Sequence, residues 1–252
     1  MSPPLPPEHF ALQLAFARRV AAVTGERFDD ALRQYTTAYG AAGLRPSKGM
    51  VCDADALEWH EFLRGFHAAP DPVSYIHTAH LAARARRDAE RPPQTACFGY
   101  RYKAETHTVQ MQFGSNDPQG PLSAARVPAR LAELRTMTEE IAREHPDAER
   151  VRGGSWLYNL EAYRHHFPPA FVATPQLAPG EYCVVGSWGP FLDHRGGMKA
   201  GVEATFCARV ALAGSLDALL ACFPFAVLRV ECDIAHFYAH YGVAPPVRPP
   251  EG

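Results

Sequence analysis

No apolar run in this 252-residue chain is longer than the six residues of Ala218 to Phe223, or the eleven of Ala218 to Leu228 if Pro224 is counted. A membrane-spanning helix needs about 20, so no membrane partner is expected. The opening residues Ser2-Pro3-Pro4-Leu5-Pro6-Pro7-Glu8 hold neither a basic n-region nor an apolar h-region. No export signal is read, and the expected address is the cytoplasm. Neither sign of charge dominates: 25 basic residues face 27 acidic ones, for a net charge of −2, which gives no general reason to bind nucleic acid. The one basic run, Arg84, Arg86, Arg87 and Arg91, is short and lacks interleaved aromatics; it reads as a solvated helix end. No C-x-x-C occurs among the six cysteines, and several sit in apolar runs (Tyr182-Cys183-Val184-Val185, Ala221-Cys222-Phe223). They read as reduced, mostly buried thiols. G-x-S-x-G, a Walker loop and G-x-G-x-x-G after a strand are all missing, so serine-hydrolase, P-loop and dinucleotide readings have no local support.

What is present is a large supply of core-forming residues, 47% apolar and 11% aromatic, enough for one large domain or two small ones. From His9 to about Glu90 the apolar residues recur with a helical period. Phe10, Leu12, Leu14 and Val20 are followed by Phe28, Leu32 and Tyr35, then Leu57, Trp59, Phe62, Leu63 and Phe66, then Val73, Ile76 and Leu81. Near Phe98 the period changes to two. Phe98, Tyr100 and Tyr102 alternate with polar residues, as do Val109, Met111 and Phe113, which predicts a hairpin. A helix is predicted from Pro128 to His145, with strands at 150–158, 181–188, 202–212 and 226–231. Short helices are predicted after Ser215 and after Asp233, the second closed by Gly242. The fold class is α+β: a helical N-terminal region, 1–95, then a mixed, mostly antiparallel sheet with packed helices, 96–244.

The stretch from His107 to Phe171 reads as strand, loop, helix and strand, with the exit Ser155-Trp156-Leu157-Tyr158-Asn159-Leu160-Glu161-Ala162-Tyr163 and then Phe167. In such β-α-β units ligands gather where strand carboxyl ends meet a helix N-terminus. The layout resembles the core of the GNAT acyltransferase superfamily, in which a strand, a phosphate-cradling loop, a helix and a splayed strand hold acyl-coenzyme A. Asn159-Leu160-Glu161-Ala162 with Phe167 is similar to that family's Asn-x-x-Ala…Phe stretch, and Ser155-Trp156-Leu157-Tyr158 is similar to a Ser-Trp-Leu-Leu stretch in an acyltransferase-like branch. The family's coenzyme A signature, Gln/Arg-x-x-Gly-x-Gly/Ala, does not occur. The matching loop, 114–123, has Asp117, which would repel phosphate, and Pro121, which lacks an N–H donor; Arg126 and Arg130 remain as bidentate donors to phosphate.

A second cluster, Trp188 to Lys199, ends an expected strand in a Gly-rich loop with Asp193, His194, Arg195 and Lys199. Such loops host binding and catalysis; the alternative is an exposed turn with surface charges. Twelve histidines are present. Asp233, His236 and His240 share a helix face at a workable metal-ligand spacing, or form a solvated face with Asp233 as cap. His77 and His80 flank an apolar stripe and are expected to point inward, whereas His165 and His166 are expected at the surface.

Taken with the resemblance, these features imply a small-molecule acyltransferase. The donor would be acyl-coenzyme A, bound by Gly120, Ser123, Arg126 and Arg130, and the acceptor a small amine or hydroxyl. His107 or His194, with Asp193, would serve as base, and Tyr158 as proton donor to the leaving thiolate. Trp156, Asn159, Trp188 and Lys199 would line the substrate. His107, in line with Val109, Met111 and Phe113, is expected to point inward and to share one cleft with Trp156, Tyr158 and His194. Two alternatives stay open: a non-catalytic small-molecule or partner-binding protein, and a metal-dependent enzyme using clustered histidines.

Overall fold

A computed structural model describes residues 4–45, 52–90, 96–114, 117, 119–178 and 186–246. The chain divides into two compact units, one of Pro3–Pro93 with Pro179–Ala226, the other of Gln94–Ala178 with Val227–Gly252. Residues 179–226, expected within the sheet region 96–244, group with the helices of Pro3–Pro93. No helix among the described residues is long and apolar enough to cross a membrane.

The helical unit starts with α1 (Pro7–Thr24), α2 (Phe28–Tyr35), α3 (Ala38–Ala41), α4 (Leu57–Ala68) and α5 (Pro72–Glu90). The described residues before Arg91 hold no strand, as the helical period predicts. Gly25 ends α1 in the left-handed region, φ 78°, a conformation without cost only for glycine. Asp71 starts α5 by accepting from the Val73 and Ser74 backbone N–H groups. Later in the chain come a 3₁₀ turn (Gly189–Phe191) and two more helices of this unit.

The core of this unit is aromatic. Trp188 makes edge contacts to Phe16, Phe206 and Phe223 and lies 5.5 Å from Phe191 between ring centroids. Val202–Leu212, expected as a strand, is a helix. Its buried residues are Phe206 and Val210, four apart, while Leu212 is 88% exposed, so one face packs and the period is helical. Of the expected strand 181–188, residues 181–185 lie outside the described residues; Trp188 leads into the 3₁₀ turn.

The sheet unit begins with the predicted hairpin. Strands β1 (Phe98–Lys103) and β2 (Thr108–Phe113) pair antiparallel, setting Phe98 opposite Phe113, Tyr100 opposite Met111 and Tyr102 opposite Val109. Helix α6 (Val127–Glu144) buries Leu134, Met137, Thr138 and Ile141. It crosses over to β3 (Arg150–Ser155), which runs parallel to β2. After α7 (Glu161–Arg164) and α8 (Pro169–Val172) come β4 (Gln176–Leu177) and, past the second segment of the helical unit, β5 (Leu228–Asp233).

The sheet order is β1-β2-β3-β5-β4, with every pairing antiparallel except β2 to β3. In register across β3 and β5, Arg152 meets Glu231, and Arg150 and Arg229 add to the same carboxylate. Burial alone would push Glu231 up, but the three guanidinium groups outweigh it and hold it near 2. In chain order the helical unit's last helices are α9 (Val202–Leu212) and α10 (Leu216–Leu220), the latter capped by Ser215 Oγ accepting from Ala218 N. The final helix, α11 (Ala235–Tyr241), belongs to the sheet unit. It begins with Asp233 Oδ1 accepting from Ala235 N and ends at Gly242.

Candidate functional site

Strands β2 and β3 are paired for only part of their length. The parallel register covers Thr108–Arg150, Val109–Val151 and Gln110–Arg152 and then stops. Past that point β2 stays on β1 to Phe113 and β3 stays on β5 to Ser155. Each strand follows its antiparallel partner, so the two parallel neighbours part at their carboxyl ends.

The exit from β3 supplies this opening with phenols. Ser155 Oγ accepts from Leu157 N (3.1 Å) and Asn159 Nδ2 donates to Trp156 O (2.7 Å), forcing a 3₁₀ turn at Trp156–Asn159. Residues 156–158, expected as strand, therefore turn back, and Tyr158 folds over Gly153. Tyr163 follows on α7. Its ring lies 5.1 Å from Tyr158 and 5.2 Å from Phe113, the last residue of β2. Two phenols thus reach from β3 to the end of β2. Tyr158 is 2% exposed, and it and Tyr163 share a hydrogen bond. Burial raises both well above the ordinary phenol range, for Tyr158 with help from Tyr163, so both stay protonated.

The loop before α6 carries its own anion. Asp117 is 5% exposed and takes Arg126 Nε at 2.5 Å and Arg130 Nη2 at 3.3 Å on one oxygen, while its other oxygen accepts from Gln119 N. The Arg126 hydrogen bond, then that backbone N–H, hold Asp117 below the usual carboxylate range. Arg130 also pairs with Glu133 (3.1 Å) and contacts the Cys97 thiol. Where the sequence suggested two arginines free for phosphate and an aspartate opposing them, the three are joined. Gly120 turns the loop at φ 89°, and Ser123 O accepts from Arg126 N as the helix begins. Arg126 keeps about a third of its side chain exposed, whereas Arg130 is buried.

His107 is not the inward residue expected. It sits on the hairpin turn before β2, in the left-handed region at φ 46°, and is half exposed. Its Nδ1 lies 2.8 Å from Asp147, whose carboxylate also accepts from Tyr102 Oη. Because β2 and β3 run parallel, His107 is at the starting end of the pair and Tyr158 at the far end. The four residues between the two levels span roughly 13 Å, and His107 takes no part in the opening.

The remaining candidates belong to the helical unit. Trp188, expected as a cleft wall, is a core residue whose Nε1 donates to Tyr35 O (2.9 Å). Asp193 is exposed and accepts from Arg195 N and Gly197 N, which close the turn between Leu192 and Met198 and hold its carboxyl low. His194 is exposed on that turn. Lys199 donates its backbone N–H to Phe191 O, and burial lowers its ammonium.

Trp156 is half-buried within the 3₁₀ turn. Of the two neighbouring histidines, His165 is exposed and pairs with Glu161, while His166 is wholly buried, against the expectation for it. His236 and His240 are exposed beside the buried face Ile234, Phe237, Tyr238 and Tyr241. No group of three or more His, Cys, Asp or Glu side chains among the described residues is arranged to hold a metal ion. The five described cysteines, Cys52, Cys97, Cys207, Cys222 and Cys232, are free thiols; Cys183 lies outside the described residues. No protein-family model, curated protein or solved structure matches the chain.

Proposed function

We propose that the sheet unit binds an acyl-coenzyme A type thioester at the parted ends of β2 and β3 and passes the acyl group to a small amine or hydroxyl. The observation that carries the reading is the end of the β2–β3 register after three pairs, with the Tyr158–Tyr163 phenols set against that end. Parted parallel strands leave backbone N–H and C=O groups without a strand neighbour, which an extended, amide-bearing ligand can engage. Tyr158, kept protonated by burial, is the proton donor to the departing thiolate. Arg126, at the edge of the loop, meets the anionic part of the donor, and Arg130 holds the loop through Asp117. The GNAT-like resemblance agrees with this layout.

A second reading, a binding protein without turnover, draws on the Asp117 ion pairs, because a loop that neutralises its own arginines offers less to a phosphate. Thiol release from acetyl-coenzyme A, measured with a panel of amines, separates the two. Acyl transfer predicts release by the wild type and a loss of about 10²–10⁴-fold in Tyr158→Phe with donor affinity retained. Binding without release supports the second reading, and the absence of binding overturns both.

A further inference from the structure

His166 is 0% exposed, and its backbone is fixed by Tyr241 Oη donating to His166 O at 2.6 Å. Its Nδ1 is 3.2 Å from Tyr163 O. A carbonyl oxygen only accepts, so Nδ1 carries the hydrogen and Nε2 presents a lone pair. That Nε2 is buried and has no hydrogen-bond partner among the described residues. A buried polar atom left so is costly, and an imidazole oriented through Nδ1 with an unused Nε2 is the arrangement of a base awaiting a donor.

The position fits. The ring lies 6.1 Å from Phe98, which pairs with Phe113 at the end of β2, and it follows the Tyr163 carbonyl of the phenol pair. Arg130, whose Nε is also buried and has no partner among the described residues, acts on the same imidazole from α6. Burial first, and then the charges of Arg130 and His165, disfavour the protonated ring, while the Tyr163 and Ala162 backbone groups favour it; the net effect is a lowered pKa. The ring is therefore neutral near pH 7 and able to accept a proton.

We propose that His166 is the base of this site, taking the proton of the attacking amine at Nε2; the inference rests on the acyl-transfer reading above. The amine nitrogen forms the new bond to the thioester carbonyl carbon as its N–H proton passes to Nε2. The C–S bond breaks and the thiolate takes the Tyr158 hydroxyl proton. The imidazolium then returns its proton through solvent to the phenolate, so one thioester and one amine give one amide and one thiol.

The test uses the full chain as wild type, His166→Asn, which keeps an N–H near the Nδ1 position and removes Nε2, and His166→Gln. Acetyl-coenzyme A binding and thiol release are followed from pH 5 to 9. The proposal expects donor affinity to persist, kcat to fall by about 10²–10⁴-fold, and the acid limb of the kcat/KM profile to vanish. A folded variant with wild-type kcat and pH profile overturns it while the acyl-transfer reading stands. A wild type that binds or releases nothing overturns that reading, and the role of His166 with it. If neither variant folds, ¹⁵N imidazole spectra of the wild type decide. A hydrogen on Nδ1 and an Nε2 resonance moved by acetyl-coenzyme A plus amine are expected; a hydrogen on Nε2, or an unmoved resonance, overturns the proposal.

Discussion

A Cβ at Gly153 would lie 1.9 Å from the Tyr158 hydroxyl oxygen and 2.7 Å from its ring carbon Cζ, so the ring folds back over β3 only because residue 153 has no side chain. Gly153→Ala must push the phenol off the strand or bend the strand itself. The expected cost is about 1–3 kcal/mol, read as a lower denaturant midpoint at unchanged slope. Adding Tyr158→Phe should recover part of it, since the closest clash is with the hydroxyl. No recovery would mean that strand distortion dominates.

The buried ion pairs of Asp117 give a second test. Asp117→Asn removes the anion that Arg126 and Arg130 share, leaving Arg130 only Glu133, and should lower the denaturation midpoint of the sheet unit. Added inorganic phosphate should then stabilise the variant more than the wild type, because the vacated charge accepts an anion. Thermal melts of both proteins with and without phosphate check this, and equal responses would show that the loop does not select anions.

The hairpin was legible because Phe98, Tyr100 and Tyr102 face Val109, Met111 and Phe113 with the period of two that their spacing predicts. Helix α6 (Val127–Glu144) was legible as the helix predicted from Pro128 to His145. Residues 202–212 were misread because Val202, Thr205 and Val210 are β-branched and suit strands locally. The spacing of Phe206 to Val210, which marks the buried face, was the available signal. At the candidate site, Tyr158 was read as the end of a strand, and neither its fold-back over Gly153 nor its contact with Tyr163 was legible. Asp117 was seen as a charge opposing phosphate, but its pairing with Arg126 and Arg130 needs the loop to fold onto α6. His165 and His166 are adjacent and chemically identical in the sequence; only the turn after α7 sends one outward and the other into the core.

Acid should weaken the helical unit. His9 is 1% exposed, and burial, then His80, lower it from 6.5 to about 4. His80 falls to about 4 as well, through burial, then Arg87, Arg84 and His77. The unfolded chain binds these protons near 6.5 and the folded one only near 4, so stability is full above 6.5 and is lost as pH falls towards 4. His9 alone accounts for about 3 kcal/mol across that window. Denaturation midpoints at pH 7.5 and 4.5 should differ less in His9→Gln than in the wild type, and an equal difference would refute the assignment.

Trp188 should act as a core residue and not as a substrate contact. Trp188→Ala should cost about 3–5 kcal/mol, and Trp188→Phe less, losing the bond to Tyr35 O at about 1 kcal/mol. Thiol release by the fraction that stays folded should match the wild type. A raised KM in folded Trp188→Phe would instead make the indole part of a binding surface.

The account stands or falls on whether an acyl thioester enters between β2 and β3. Backbone amide spectra of the full chain, titrated with acetyl-coenzyme A, measure this directly. The expected shifts fall on Met111–Phe113, Gly153–Ser155, Tyr158, Tyr163 and His166, and leave His107 and the Asp193–Gly197 turn unmoved. Saturable shifts confined to the Asp193–Gly197 turn, or none at millimolar ligand, would contradict it.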